Sequence, residues 1–250
     1  MAFIALDHVS VDFPVLDARG RSLRAAMMSV GRSAGRRIDV APRGHALVHA
    51  LKAVSLRMED GDRVGLIGGN GSGKSTLLRL LSGVYEPTEG TIHIQGGCCP
   101  LLDLTLGIDV DATGYENIRL RGLALGMSLK QIRETEREIA AFAELGEHLR
   151  LAVRTYSSGM LLRLAFAVST SLPREIVVID EVIGAGDASF MHKARERLHR
   201  LLRQSNILVI ASHAGEVLRQ MCSKGLYLRE GEVVFFGPID EALALYDREQ

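Results

Sequence analysis

The chain has 250 residues, 47% of them hydrophobic, and its 30 basic and 30 acidic residues cancel to a formal net charge of zero. A neutral chain does not bind nucleic acid through bulk positive charge, although a local patch can still do so. Cys98, Cys99 and Cys222 lack the paired spacing of a zinc site and give no disulfide framework, which indicates a reducing compartment.

Neither a membrane-spanning helix nor a signal peptide is indicated, because no apolar run is long enough and an acidic residue interrupts the N-terminal segment early. Residues 3–9 predict a first strand. The stretch Arg19–Arg43 holds seven arginines and one acidic residue. It is either a solvated basic loop, partly helical, or a segment that contacts a membrane surface or an anionic partner. Alternating apolar residues then predict a half-buried strand over 47–58.

The central motif of the sequence is a glycine-rich loop between a predicted buried strand, Arg63–Ile67, and a predicted helix that ends near Gly83. The loop matches the phosphate-loop pattern of Gly, four residues and Gly-Lys-Ser. The glycines allow N–H groups to approach a phosphate, and the following helix directs its positive end at the same anion. The alternative is a glycine-rich turn that merely precedes a helix. The predicted nucleotide-binding residues of the loop are Gly68, Asn70, Gly71, Ser72, Gly73, Lys74, Ser75 and Thr76.

Two residues of this loop have specific expected roles. We expect Lys74 to reach the β- and γ-phosphates and the Ser75 hydroxyl to ligate Mg²⁺.

Helical signals dominate the next part of the chain, after a short strand over 91–94. Capping boxes are predicted at Thr113 with Glu116 and at Ser128 with Gln131. The second opens a helix that Gly146 ends. A third helix is predicted over 158–172, where Pro173 ends it. Residues of about 105–172 therefore form a helical insert.

The last part of the chain alternates strands and helices. Apolar runs predict buried strands over 175–180 and 206–211, with a helix over 188–204 between them. A hairpin follows over 225–236, and Pro238 is predicted to occupy the first position of the last helix. This alternation predicts an α/β fold with a mostly parallel sheet.

Three polar groups come at or directly after predicted strand ends, where ligands of such sheets bind. Asp180 is expected to hold the Mg²⁺ together with Ser75. Glu181 follows it and is the candidate base that polarises the attacking water. His213 is the candidate group that contacts the γ-phosphate. The alternatives are an acidic surface turn at 180–181 and a structural histidine.

Further motifs give the chain a family resemblance. Tyr156-Ser157-Ser158-Gly159-Met160 resembles the signature motif of ATP-binding cassette (ABC) transporters in the form found in polysaccharide and polyol-phosphate exporters. Residues 179–187 are similar to the Walker B and D-loop segment of that subfamily, and residues 101–104 and 113–118 also follow its pattern. The resemblance covers about residues 46–246.

The resemblance implies a single ABC nucleotide-binding domain of the P-loop NTPase fold, with a mostly parallel core and an antiparallel β part. A RecA-like core would comprise about 1–104 and 173–250, and an inserted helical subdomain about 105–172. Two chains would sandwich two ATP molecules head to tail. The signature residues that would cap the nucleotide of the opposite subunit are Ser157, Ser158, Gly159 and Met160.

Three other positions carry roles by the same resemblance. Asp187 is the D-loop residue. The Q-loop normally supplies a glutamine, which is missing here, so Asp103 is the candidate. Phe13 is the candidate for stacking on adenine, with His49 as the fallback.

The function implied is the ATPase subunit of an exporter of surface polysaccharide, such as O-antigen or capsule, on the cytoplasmic face of the bacterial inner membrane. ATP and Mg²⁺ would be its cofactors, and a second copy and a transmembrane permease its partners. The polysaccharide would be met through the permease, with no nucleic acid involved. Alternatives are an ABC ATPase coupled to another exported substrate, a soluble ABC ATPase of DNA repair or translation, a P-loop phosphotransferase, and an inactive ATP-binding scaffold.

Overall fold

In the computed structural model of the chain, residues 1–15, 38–40, 46–180 and 188–249 are described. The arginine-rich stretch Arg19–Arg43, for which a loop or a partly helical segment was predicted, lies outside them except for residues 38–40, which form a short strand. The strands are β1 (Phe3–Val15), β2 (Ile38–Val40), β3 (Ala46–Glu59), β4 (Arg63–Ile67), β5 (Glu89–Gln95), β6 (Cys98–Leu101), β7 (Ile176–Asp180), β8 (Ile207–Ala211), β9 (Lys224–Arg229) and β10 (Glu232–Pro238). The helices are α1 (Lys74–Leu81), α2 (Gly114–Ala124), α3 (Leu129–Ala143), α4 (Ser158–Ser169), α5 (Ala188–Gln204), α6 (Gly215–Met221) and α7 (Ile239–Arg248), with 3₁₀ turns at Gly146–Arg150 and Val153–Thr155.

The backbone falls into two compact units. The first comprises Met1, Phe3–Gln95 and Ala211–Gln250. It contains a four-stranded sheet in the order β2-β3-β1-β5 whose neighbours run antiparallel. In the same unit β4 pairs in parallel with β9, and β9 pairs antiparallel with β10. The strand that leads into the glycine loop is thus held by a strand from the end of the chain.

The second unit comprises Ala2 and Gly96–Ile210. Its strands β6 and β7 pair in parallel, and β8 lies beside β7. Both predicted capping boxes are confirmed, since each cap hydroxyl accepts a backbone N–H and each partner side chain bonds back to the cap. The helices enclose a buried apolar cluster of Ile118, Ile139, Ala143, Leu145, Leu149, Val153, Leu164, Ala167 and Val168. The predicted boundary between a RecA-like core and a helical subdomain stays a prediction.

Some predicted element bounds were wrong for identifiable reasons. Helix α4 ends at Ser169 and not at residue 172, because the hydroxyls of Thr170 and Ser171 donate to the helix carbonyls of Phe166 and Val168 at 2.7 and 2.8 Å. Side-chain bonds of this kind compete with continuation of a helix.

Other differences arise at helix boundaries and in short elements. Helix α3 ends before Glu144, which adopts φ 55°. Pro238 is the N-cap of α7 with ψ 139°, not its first residue, because it also ends β10. Strand β6 and helix α6 were not predicted from the sequence. Among the described helices, none is both long and apolar enough to cross a membrane.

Candidate functional site

The glycine loop joins the buried end of β4 to the first turn of α1, as the sequence predicted. The strand is buried from Val64 to Ile67, and the helix begins at Lys74 with Gly73 as its N-cap. Leu77 donates its N–H to the Gly73 carbonyl at 2.9 Å, which is the first bond of the helix. The first N–H groups of a helix have no intrahelical acceptors, so this end attracts anions.

Two positions of the loop accept only glycine. Gly68 has φ 149°, and a Cβ placed there would lie 2.3 Å from the Leu228 carbonyl oxygen. Gly73 has φ 111°, and a Cβ there would lie 2.8 Å from the Ala50 carbonyl oxygen. Both torsions are unfavourable for residues with a side chain. The backbone of the loop is therefore wedged against neighbouring strands of its own unit.

Ser72 anchors the loop and carries a buried hydroxyl. Its N–H donates to the Gly69 carbonyl at 3.1 Å, and its carbonyl accepts the Gly231 N–H at 2.9 Å. The residue is 6% exposed, and its Oγ has no hydrogen-bond partner within the described residues. A buried polar atom normally has a partner, and a bound ligand is one way to supply it. The loop therefore fits a phosphate in shape and in its polar groups.

Lys74 lies folded over the loop. Its Nζ donates to the carbonyl oxygens of Gly68 at 2.6 Å and Gly69 at 3.0 Å. The positive charge is thus held beside the backbone that would surround a phosphate. A flexible lysine stem can exchange these carbonyls for phosphate oxygens at small cost.

A glycine-to-alanine pair tests this geometry. We expect Gly68→Ala to lower the free energy of unfolding by about 2–5 kcal/mol, because it adds both torsional strain and a backbone clash. Gly69→Ala is the matched control, since a Cβ at Gly69 meets nothing within 4 Å. Chemical denaturation of both variants measures the difference. Equal stability of the two would contradict the packing described here.

The Walker B residues are only partly described. Asp180 is the last residue of β7, half-buried after four buried residues, and it belongs to the second unit. Glu181 and Asp187 lie outside the described residues. The predicted roles of all three stay predictions.

The signature segment begins a helix, as expected. Ser157 is the N-cap of α4, and its Oγ accepts the Met160 N–H at 3.2 Å. Ser157 and Ser158 are exposed, and Gly159 and Met160 are half-buried. The positive end of a twelve-residue helix therefore faces solvent.

Of the remaining candidates, His213 belongs to the first unit and Asp103 to the second. His213 is exposed between β8 and α6. Asp103 follows β6, and its Oδ1 accepts the N–H and hydroxyl of Thr105 at 3.0 and 2.8 Å. These bonds lower the pKa of the Asp103 carboxyl and keep it ionised.

Phe13 and His49 both lie in the antiparallel sheet of the first unit. Phe13 pairs with Val48, and its ring meets Tyr85 edge-on with centroids 5.2 Å apart. His49 Nδ1 lies 2.8 Å from Asp12 Oδ1. No sequence pattern indicated the contact of Tyr85 with Phe13 or the contact of Gly231 with the loop. A turn signal marks Gly231, but no local pattern indicates which distant segment it touches.

Comparison with known proteins assigns the family. Residues 51–184 match the model of the ABC transporter family. The O-antigen export system ATP-binding protein RfbE of Yersinia enterocolitica is 41% identical over 92% of this chain and 96% of its own length. RfbB of Myxococcus xanthus, an O-antigen export system ATP-binding protein, is 41% identical over 82% of this chain. The teichoic acids export ATP-binding protein TagH of Bacillus anthracis is 38% identical over 80%. The chain spans 47% and 36% of these two longer relatives.

Solved structures show the same fold. A structure described as an ATP binding subunit of an ABC transporter superposes with a TM-score of 0.66 at 20% identity, over 98% of this chain and 93% of the other. The dimeric post-hydrolysis state of the ATP-binding cassette MJ0796 bound to ADP and Pi gives 0.63 at 22% identity, over 94% and 98%. The phosphate loop, the family match and the similarity to RfbE show that this chain belongs to the ABC transporter family, as an ATP-binding subunit that hydrolyses ATP.

Proposed function

We propose that the chain powers export of a surface polysaccharide of the O-antigen or capsule type through a separate permease. The observation that carries this proposal is the 41% identity to RfbE over 96% of that protein's length. The signature segment supports it, since Tyr156-Ser157-Ser158-Gly159-Met160 has the form found in exporters of this class. Polyol-phosphate export is the second candidate, favoured by the similarity to TagH proteins named for teichoic acids.

The residues of the loop have chemically matched partners on a nucleotide. Backbone N–H groups of Asn70, Gly71, Gly73 and Thr76 would surround the phosphates, Ser72 would contribute its buried hydroxyl, and Lys74 would neutralise the terminal charge. Phe13 would pack on adenine, since base stacking requires only an accessible ring. Half burial leaves part of that ring free for such a contact.

The chemical step would use a metal site, a base and a group that contacts the γ-phosphate. Ser75 and Asp180 offer the oxygen donors that Mg²⁺ prefers, and the ion would neutralise charge on the phosphates. Glu181 would accept the proton of the water that attacks the γ-phosphorus, while the bond to ADP breaks. His213 would contact the γ-phosphate.

Two copies of the chain would form the complete active site. Ser158 and Gly159 expose a helix end that suits the γ-phosphate held by the other copy, with Asp187 at the contact between copies. Neither copy would then hydrolyse ATP alone. ATP would stabilise the closed pair, and loss of phosphate would release it.

A substitution at Ser158 tests this arrangement. We expect Ser158→Arg to lower ATP turnover at least about tenfold, because a bulky side chain would occupy the place of the partner's γ-phosphate. Affinity for ATP in the monomer should remain near that of the unmodified chain. Leu129→Arg is a matched control, because Leu129 is also the first residue of a helix and is 56% exposed. A large loss of monomer affinity would show that the signature acts within its own chain.

The permease would hold the chain peripherally on the cytoplasmic face of the inner membrane. Asp103, in place of the glutamine of the Q-loop, would lie at that contact. The experiment that tests the proposed task is affinity purification of the full chain from native membranes, with identification of the proteins and glycolipids that accompany it. A multispanning permease together with lipid-linked glycan supports the proposal. A permease with a polyol-phosphate polymer selects the second candidate, and ribosomes or nucleic acid would overturn both.

A further inference from the structure

Helix α2 buries polar side chains as well as the apolar Ile118, which is 0% exposed. It buries Arg121, which is 6% exposed, and Asn117, which is 1% exposed. It exposes Leu120 and Leu123, at 46% and 48%. Removing a guanidinium from water is costly unless its N–H groups find acceptors. The position of Arg121 therefore depends on the groups it contacts.

Arg121 forms hydrogen bonds to two segments that are far apart along the chain, one at Leu106 and one at Ser169. Its Nε and Nη2 donate to the Ser169 Oγ at 3.3 and 3.0 Å. Its Nη1 donates to the Leu106 carbonyl at 2.5 Å. Among the described residues, no carboxylate lies within ion-pair distance of Arg121, although the charge of Asp103 acts on it through space. Its hydrogen bonds go to Ser169 and Leu106. The guanidinium fork is planar and rigid, which fixes the distance between them.

The first segment is the turn that follows the Q-loop candidate. The Asp103 carbonyl accepts the Leu106 N–H at 3.2 Å, and the Thr105 carbonyl accepts the Ile108 N–H at 3.2 Å. The Asp103 carboxylate also holds Thr105. These bonds make residues 103–108 a compact turn. Arg121 donates a hydrogen bond to this turn at the Leu106 carbonyl.

The second segment is the C-terminal end of the signature helix. Ser169 is the last residue of α4, whose other end carries Ser158 and Gly159, roughly 17 Å away at the rise of an α-helix. The Ser169 carbonyl accepts the Cys99 thiol at 3.2 Å. Ser169 is 5% exposed, and both its hydroxyl and its carbonyl are hydrogen-bonded. A displacement at this end would shift the whole rigid helix.

We propose that Arg121 is a positioning residue for ATP hydrolysis, which couples the turn over 103–108 to the signature helix through Leu106 and Ser169. This inference rests on the proposed function, because permease contact at Asp103 and capping of ATP by Ser158 are themselves proposals. A displacement of the turn by the permease would then displace helix α4, whose N-terminal end would complete the partner's active site.

Hydrogen exchange tests the coupling without requiring activity. Among the described residues, Ser169 makes no hydrogen bond to the turn, so Ser169→Ala should affect the turn through Arg121. We expect exchange at the Leu106 and Ile108 amides to become about fivefold faster, the factor for one lost hydrogen bond. Ser171→Ala is the control, because the Ser171 hydroxyl bonds to the same helix end at Val168 and not to Arg121. Unchanged exchange in Ser169→Ala would overturn the coupling.

ATP turnover of the full chain tests the consequence. Ser169→Ala and Arg121→Lys should lower kcat about 10- to 100-fold, with KM and the number of nucleotide sites per chain within about twofold. Ser169→Thr, which keeps the hydroxyl, should restore activity. An equal loss in Ser171→Ala, or a loss of nucleotide sites that parallels kcat, would mean that Ser169 acts through stability and would overturn the inference. An unmodified chain without ATPase activity would contradict the proposed function, and the exchange measurement would still decide the coupling.

Discussion

Glu181→Gln is expected to slow ATP hydrolysis by about 10²–10⁴-fold, the usual contribution of a positioned base, while ATP still binds. The amide keeps the shape of the side chain but cannot accept the proton of the attacking water. Since closure of the two copies would precede hydrolysis, the variant should accumulate an ATP-bound dimer. Phosphate release gives the rate, and size-exclusion chromatography with and without ATP gives the oligomeric state.

A matched control separates this effect from a change of charge. Glu147→Gln makes the same substitution at an exposed position, where the carboxylate lies 3.4 Å from Arg150, so it should leave turnover unchanged. Normal hydrolysis in Glu181→Gln would exclude Glu181 as the base. Slow hydrolysis without an ATP-bound dimer would show that the substitution prevents the two copies from closing on ATP.

The phosphate loop could be predicted because its information is local. Glycine torsions, the strand before it and the helix after it all lie within about twenty consecutive residues, and the structure reproduces them. The two capping boxes were predictable for the same reason, because the Thr113–Glu116 and Ser128–Gln131 pairs lie within one helical turn. Motifs whose partners are close in sequence can be read without the fold.

The features that escaped prediction depend on contacts between distant segments. The position of Gly231 beside Ser72 follows from the pairing of β4 with β9, which no local pattern indicates. Arg121 lies beside an exposed leucine in the sequence, and its charge predicts a solvent-facing position. It is buried because Ser169 and Leu106 supply acceptors that only the folded chain brings to it. The same reason explains why the sequence reveals the missing glutamine of the Q-loop, whereas the residue that takes its place depends on the fold.

Lys74→Ala is expected to weaken ATP binding by about 10- to 150-fold, corresponding to 1.5–3 kcal/mol for hydrogen bonds to a charged group. The lysine would neutralise charge on the β- and γ-phosphates, and no other cation of the loop can replace it. Stability without nucleotide should change less, by about 1–2 kcal/mol, because the bonds from Nζ to the Gly68 and Gly69 carbonyls are lost. Calorimetric titration with ATP and chemical denaturation measure the two quantities.

A loss of ATP affinity that exceeds the loss of stability would show that Lys74 acts on the nucleotide itself. Lys130→Ala is the control, since Lys130 is exposed on α3 and lies 4.0 Å from Glu134; neither affinity nor stability should change noticeably. Lys74→Arg should also bind ATP poorly, because the wide guanidinium does not fit where a narrow ammonium contacts two loop carbonyls. If Lys74→Ala bound ATP normally and lost only hydrolysis, the lysine would act in the chemical step alone. In that case the anion affinity of the loop would come from its backbone N–H groups and from the N-terminal end of α1.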